Sequence, residues 1–196
     1  ADFMQAHPGL TMRMSSSAEP ADLLKDVALD VDIAYGAPPS RNGVAVEPLG
    51  DESIVPLVAP RLLGDAPARA PRDVLRHTLI ESKLNPVHWS DWCRLNGVRL
   101  PDRARPSFDR GSLAVAAAVD GLGVALESTR FAQAELARGD LVVVEGDAFR
   151  HVVRPMHFLC YRRADANEDR IVALRQWLGA QLAASDAPAR PKRKAA

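Results

Sequence analysis

The stretch SFDRGSLAVAAAVDGLGVALES, Ser107 to Ser128, decides how this chain is read. It opens on a polar turn, passes through a small-residue apolar run, breaks at Gly-Leu-Gly and closes on a second apolar run. The glycines carry the first decision. A dinucleotide or phosphate fingerprint places its glycines after a strand and before a helix, so that amides at the helix N-terminus cradle the phosphates. Here Gly121 and Gly123 follow the helical run and precede the strand-like Val124 to Glu127. Gly121 therefore reads as a left-handed helix C-cap and not as part of a nucleotide loop. The turn that does lie between strand and helix is Phe108 to Ser112. Its Asp109 and Ser112 can cap the helix, or its amides and Ser112 can receive a ligand carboxylate or another anion.

Working outward, strand and helix signals alternate. Upstream, LTMRMSS (Leu10 to Ser16) reads as a strand. EPADLLKDVALD reads as a helix with Leu23, Leu24, Val27 and Ala28 on one face, and VDIAYG as a strand ending at Gly36. After the turn-rich APPSRNG come two strand-like runs, VAVEPLG and SIVPLVA. The helix PRDVLRH, the strand TLIES and the helix PVHWSDWCRLNG follow. Beyond Ser128 come the helix RFAQAELARG and the strand LVVVEG. Such alternation predicts an α/β fold with parallel packing. VRPMHFLCYRR then reads as one long strand. The closing helix carries Ile171, Leu174, Leu178 and Leu182 on one face, with Asn167 at its start. The Pro-, Ala- and Lys/Arg-rich residues 185–196 have nothing to bury and are expected to form a disordered basic tail.

Composition sets the limits. The 196 residues suffice for one large domain or two lobes. Lys plus Arg and Asp plus Glu are 25 each, so no overall positive field exists to hold a polyphosphate backbone. No apolar run approaches the roughly 20 residues of a bilayer span. Two distant cysteines, Cys93 and Cys160, suit a reducing compartment and favour the cytoplasm. The opening ADFMQAHPGL resembles the end of a helix stopped at Pro8 and Gly9, as if the chain begins inside a larger protein.

Catalytic signals are thin. The five histidines are scattered, and none has the i, i+4 spacing with Glu of a metalloprotease helix. No Gly-x-Ser-x-Gly or Cys-His motif appears, so no nucleophile is indicated. Trp89 and Trp92, at i and i+3, are read as core in preference to a pocket wall. No catalytic residue, metal or cofactor is assigned.

The order of VDIAYG, LGDESIVPLVAPRLL, PRDVLRHTLIES, HWSDWCRLNG, FDRGSLAVAAAVDGLGVAL, ELARGDLVVV and VALRQWLGAQL resembles the effector-binding region of LysR-type transcriptional regulators, over roughly residues 1 to 184. The nearest likeness is to the branch with the glycine-cleavage activator and beta-lactamase regulators. The resemblance implies two Rossmann-like lobes joined by two crossing strands, a type 2 periplasmic-binding-protein-like fold with a small-molecule cleft between them. Lobe I would be residues 1–54 plus 157–184, and lobe II residues 55–156. The N-terminal winged helix-turn-helix, the first strand of lobe I and most of its first helix would be absent. Arg162 and Arg163 stand where relatives often carry a proline, which leaves the course of the chain there open.

A sensor needs no bond-making group. In open α/β sheets ligands bind beyond the carboxyl ends of the strands. The residues so placed are Tyr35 and Gly36 in lobe I, and Glu81, Ser82, Phe108, Asp109, Ser112, Glu127 and Ser128 in lobe II. Glu127 and Ser128 can pair with an effector amine while Ser112 and helix amides hold its carboxylate, which suggests an amino-acid-like effector. The alternative is that Glu127 is solvated and caps the next helix. Two function classes stay open: the effector-sensing domain of a regulator that contacts DNA only through the absent domain, and a periplasmic-type solute-binding protein for a small organic anion or amino acid. An enzyme on this fold is a distant third. The resemblance further implies a homodimer or tetramer, with Leu10 to Ser16 facing the helix of Ala114 and Ala116 to Ala118 in a partner. No membrane partner is expected.

Overall fold

The computed structural model describes residues 2–64 and 68–185. In chain order the elements are α1 (Asp2–Ala6), β1 (Val31–Tyr35), β2 (Val44–Pro48), β3 (Asp51–Val58), α2 (Pro60–Leu63), α3 (Pro71–Val74), β4 (Leu79–Ser82) and α4 (Trp89–Leu95). They continue as β5 (Ser107–Phe108), α5 (Gly111–Val119), β6 (Val124–Ser128), α6 (Gln133–Arg138), β7 (Val142–Val143), β8 (Val152–Pro155), β9 (His157–Arg162) and α7 (Asp169–Ser185). The chain divides into two units: one runs to Gly50 and resumes at Pro155, the other is Asp51–Arg154. The basic tail lies outside the described residues, apart from the end of α7.

The first unit holds a three-stranded sheet of order β1-β9-β2. Both pairings are antiparallel, with Ile33 opposite Leu159 and Val46 opposite Cys160. One face packs on α7 through Ala45, Leu49, Leu159, Tyr161 and Ile171, joined by Leu174, Leu178 and Leu182. The helical face read from the sequence is thus the buried one. Arg175 forks onto Glu47, with Nη2 to Oε1 at 2.6 Å and Nε to Oε2 at 3.1 Å, while the Tyr161 hydroxyl donates to Oε1 at 2.5 Å. That pair pins α7 to β2.

Two expectations fail in this unit. Leu10 to Ser16 is not a strand and joins neither sheet, and Met14 is exposed. Alternation alone does not make a strand without a ladder to join. Asp22 to Leu29 forms successive turns, not a helix. Of its expected apolar face only Leu23 is buried, while Leu24 and Val27 are exposed. The carbonyls of Leu23 and Leu29 are taken by Arg162 Nη1 at 3.1 and 2.7 Å, and the Asp26 carboxylate accepts from the Ala28 amide at 3.0 Å. Arg162 therefore fixes the course of the chain that the missing proline left open, and a 3-10 turn follows at Arg163–Asp165.

The second unit is a six-stranded sheet of order β5-β4-β6-β3-β7, with β8 paired to β3. Parallel pairing, expected throughout, is found in β4 with β5 and with β6, whereas β3 runs antiparallel to β6 and β7. The short return from β6 through α6 to β7 brings the chain back beside β3. The expected single strand at 153–163 is two, β8 and β9, interrupted at Met156 as the chain passes from one unit to the other.

Helix α5 positions the centre of this unit. Ala114, Val115 and Ala118 pack against Val55, Leu57, Ile80 and Ala125, and their small size lets the helix lie close to the sheet. The helix ends as its glycine predicts: Gly121 has φ +79°, its amide donates to Ala118 O at 3.0 Å, and Leu122 N donates to Ala117 O at 3.0 Å. This is a Schellman closure. Arg61 Nη2 donates to Val119 O at 2.7 Å, a cation at the negative helix end. Gly123 has a different reason. A Cβ there would collide with the Thr78 carbonyl, which accepts the Val124 amide at 2.8 Å. Trp89 and Trp92 are both buried and meet edge to face at 5.5 Å, with Trp89 Nε1 donating to Ile80 O at 2.8 Å. They are core residues, each worth a few kcal/mol of apolar burial.

Candidate functional site

The parallel ladder β5-β4-β6 gathers the carboxyl ends of three strands. Ser82 stands opposite Phe108, and the Lys83 amide donates to Phe108 O at 2.8 Å. Leu79 is paired with Val124 and Ile80 with Ala125, so the same register carries Ser82 to the level of Glu127. Glu81, Ser82, Phe108, Glu127 and Ser128 therefore come together, with Asp109 and Ser112 in the turn beyond β5. Tyr35 and Gly36 lie in the other unit at the end of β1. There the Tyr35 ring is 4.9 Å from that of His157, and Gly36, at φ 98°, donates its amide to Met156 O at 2.7 Å.

Adjacent residues of β6 face opposite sides of the sheet. Glu127 points to the α5 face and is fully buried, 0% exposed. Its carboxyl lies against the start of α5: a Cβ at Gly111 would be 3.0 Å from Oε1 and 3.2 Å from Oε2. Oε2 accepts the Ser128 amide at 3.3 Å, while Oε1 has no partner. The buried Ser82 hydroxyl, also without a hydrogen bond of good geometry, faces the same carboxyl. Burial raises the Glu127 pKa above the ordinary glutamate range; Ser82 and the Ser128 amide offset part of that rise. The solvated, helix-capping alternative for Glu127 is overturned, because no water-facing surface remains to it.

Ser128 faces the other way. Its hydroxyl donates to Glu52 Oε2 at 2.5 Å and accepts the Arg130 amide at 3.1 Å, while Arg130 Nη1 stands 3.6 Å from Glu52 Oε1. Glu52 is itself buried, at 3% exposure. Glu81, half-buried, meets His88 Nδ1 at 2.9 Å and Arg105 Nε at 3.7 Å. Asp109 and Ser112 are exposed, and neither caps α5: the N-cap is Arg110, with no side-chain cap bond. The turn begins one residue later than Asp109 would need to reach the helix amides.

Glu52, Arg130, His88 and Arg105 were missed in the sequence. Glu52 is 76 residues from Ser128, and only the antiparallel register of Ile54 with Ser128 brings them together. His88 could have been found, since the strand end at Glu81 and the helix start at Trp89 are joined by a short loop. A separate cavity of about 280 Å³ in the first unit is lined by Glu19, Leu23, Asp32, Arg41 and Cys160, toward the opposite end of β1 from Tyr35. Among the described residues no cluster of three or more His, Cys, Asp or Glu is placed to hold a metal ion. Nor is any helix long and apolar enough to cross a membrane.

Comparison with known proteins identifies the family and the fold. The family model described as the LysR substrate binding domain matches residues 1–183. The HTH-type transcriptional regulator y4mQ of Sinorhizobium fredii is 39% identical over 81% of this chain and 48% of its own length. The glycine cleavage system transcriptional activator of Escherichia coli K12 is 32% identical over 93% of this chain and 59% of its own. The chain thus spans about half the length of the curated relatives it matches. Among solved structures, the effector domain of the transcriptional regulator AmpR of Pseudomonas aeruginosa superposes with a TM-score of 0.75 at 23% identity, covering 94% of this chain and 86% of that one. The AmpR effector binding domain of Citrobacter freundii gives 0.75 at 20% identity, covering 93% and 88%. The fold is accordingly the type 2 periplasmic-binding-protein-like fold of those domains. With a family model covering nearly its whole length, this chain belongs to the LysR family as a LysR substrate binding domain.

Proposed function

We propose that the chain senses a small amino-acid-like effector on behalf of a transcription regulator whose DNA contacts lie in a helix-turn-helix domain outside this sequence. The observation that carries the reading is the Glu127 carboxyl, buried against the N-terminus of α5 with one oxygen unpartnered, beside the unpartnered Ser82 hydroxyl. An effector ammonium answers the carboxyl. Ser112 and the first amides of α5 offer donors to its carboxylate. Phe108 and Asp109 flank this corner in the second unit, whereas Glu81 and Ser128 present their side chains to the other face of the sheet.

Relatives named as transcription regulators support the sensor over the solute-binding alternative and over an enzyme. A cytoplasmic location and a homodimer or tetramer follow from the same reading. The dimer surface proposed is α5, where Ala116 and Leu113 are exposed. The expected facing strand at Leu10 to Ser16 is not formed. The test is a panel of amino acids and matched amines screened by thermal shift and confirmed by calorimetry. Saturable binding of an amine-bearing member is expected, and a folded protein that binds none of them sinks the amino-acid reading.

A further inference from the structure

Glu127 is the one site residue for which the surroundings and the ordinary charge state disagree. From β4 it meets Ser82; from β3 the residue in register is Val55; from α5 it meets the backbone of Gly111. The rest of that face is apolar, built from Val55, Ile80, Ala114, Val115 and Ala125. Charged groups near it are otherwise engaged or point away. Glu52 and Arg130 pair with each other on the opposite face of the sheet, Glu81 is held by His88 and Arg105, and the Asp109 side chain is exposed. A carboxylate without a counter-charge in such a place is expensive, whereas a carboxylic acid is not.

We infer that Glu127 is a neutral acid in the empty sensor and gives up its proton when an ammonium-bearing effector arrives, so that effector binding is proton-linked at this residue. The inference rests on the amino-acid reading above. The step balances simply: the O–H bond of the Glu127 carboxyl breaks, its proton passes to solvent, and the carboxylate left behind pairs with the ligand's ammonium. No electron is transferred and no covalent bond to the ligand forms. The ammonium supplies a full counter-charge where the fold offers only the partial positive charge of the α5 N-terminus. Affinity for such a ligand therefore rises with pH until Glu127 is ionised in the empty protein.

Two measurements on the whole chain decide it. In the ligand-free protein, the ¹³C carboxyl resonance assigned by its loss in Glu127→Gln should titrate above the ordinary glutamate range; titration at or below that range overturns the inference with no ligand involved. The second uses the twenty standard amino acids, their decarboxylated amines and their deaminated acids as probes. For an amine-bearing binder, calorimetry in buffers of different ionisation enthalpy should report release of about one proton per ligand at pH values where Glu127 is still neutral. In Glu127→Gln, which imitates the acid form and should fold, that release should vanish and affinity should fall at least tenfold. Binding without proton release in the wild type overturns the linkage and leaves the amino-acid reading standing. Tight binding by the deaminated acids alone overturns both, as does a panel that is silent throughout.

Discussion

Ser128 and Glu52 are joined by a hydrogen bond of 2.5 Å between side chains that are both buried, across strands β6 and β3. A buried carboxylate that loses a donor bears the desolvation cost of the lost bond. Ser128→Ala should therefore lower stability by about 1–3 kcal/mol, even though Arg130 still faces Glu52. Chemical denaturation measures this. A loss below about 0.5 kcal/mol would mean that the bond contributes nothing net.

Glu127 makes stability depend on pH with a sign opposite to that of most paired carboxylates. Its folded pKa is raised above the unfolded value, so its stabilising contribution is complete below the unfolded value and is lost as pH rises through the folded one. The wild type should therefore lose stability relative to Glu127→Gln as pH increases from the acid side toward neutrality. Denaturation midpoints of the two proteins across that range should diverge with rising pH; a constant difference would show that Glu127 titrates normally.

Ser112 separates binding from folding. Its side chain is exposed and makes no helix-cap bond, so Ser112→Ala should change stability by less than about 0.5 kcal/mol. Affinity for an effector whose carboxylate it holds should fall by about 0.5–1.5 kcal/mol. Calorimetry that finds equal affinity in the two proteins removes Ser112 from the site.

The two glycines after α5 should answer alanine differently. At Gly121 the cost is the left-handed backbone, about 1 kcal/mol. At Gly123 the methyl meets the Thr78 carbonyl, and the β4–β6 ladder must shift, for about 2 kcal/mol or more. Thermal denaturation of both variants ranks them, and Gly121→Ala as the more damaging would contradict the collision.

With Lys plus Arg and Asp plus Glu at 25 each, the chain by itself should not retain a specific DNA sequence at physiological salt. Gel retardation with and without residues 186–196 tests this. Retention that survives the deletion and discriminates sequence would place DNA contacts within the described units.

Element by element, the legible parts of the fold are those where local pattern and tertiary demand coincide. The α7 stripe from Ile171 to Leu182, the Gly121 cap, the Trp pair and the strands around Tyr35 and Ser82 each carry their reason in a few neighbouring residues. Leu10 to Ser16 and Asp22 to Leu29 carry the same kinds of pattern, but their outcome is set elsewhere: by the lack of a pairing strand and by Arg162, more than 130 residues along the chain, taking the Leu23 and Leu29 carbonyls. The strand-end rule placed Glu81, Ser82, Phe108 and Glu127 together because the parallel register does so. It could not supply Glu52 or Arg130, which arrive by an antiparallel pairing, nor the direction in which Glu127 points.

That β6 sets Glu127 and Ser128 on opposite faces makes the strand intolerant of a change in length. Removing one residue between Gly123 and Leu126 would exchange the two side chains, since strand sides alternate at every position. Glu127 would then be delivered to the Glu52 side, two carboxylates in one buried space, while α5 would receive only a hydroxyl. Frame errors in this strand are thus punished electrostatically as well as by lost packing. The acidic pair works as a registration mark that admits β6 into the sheet in one alignment.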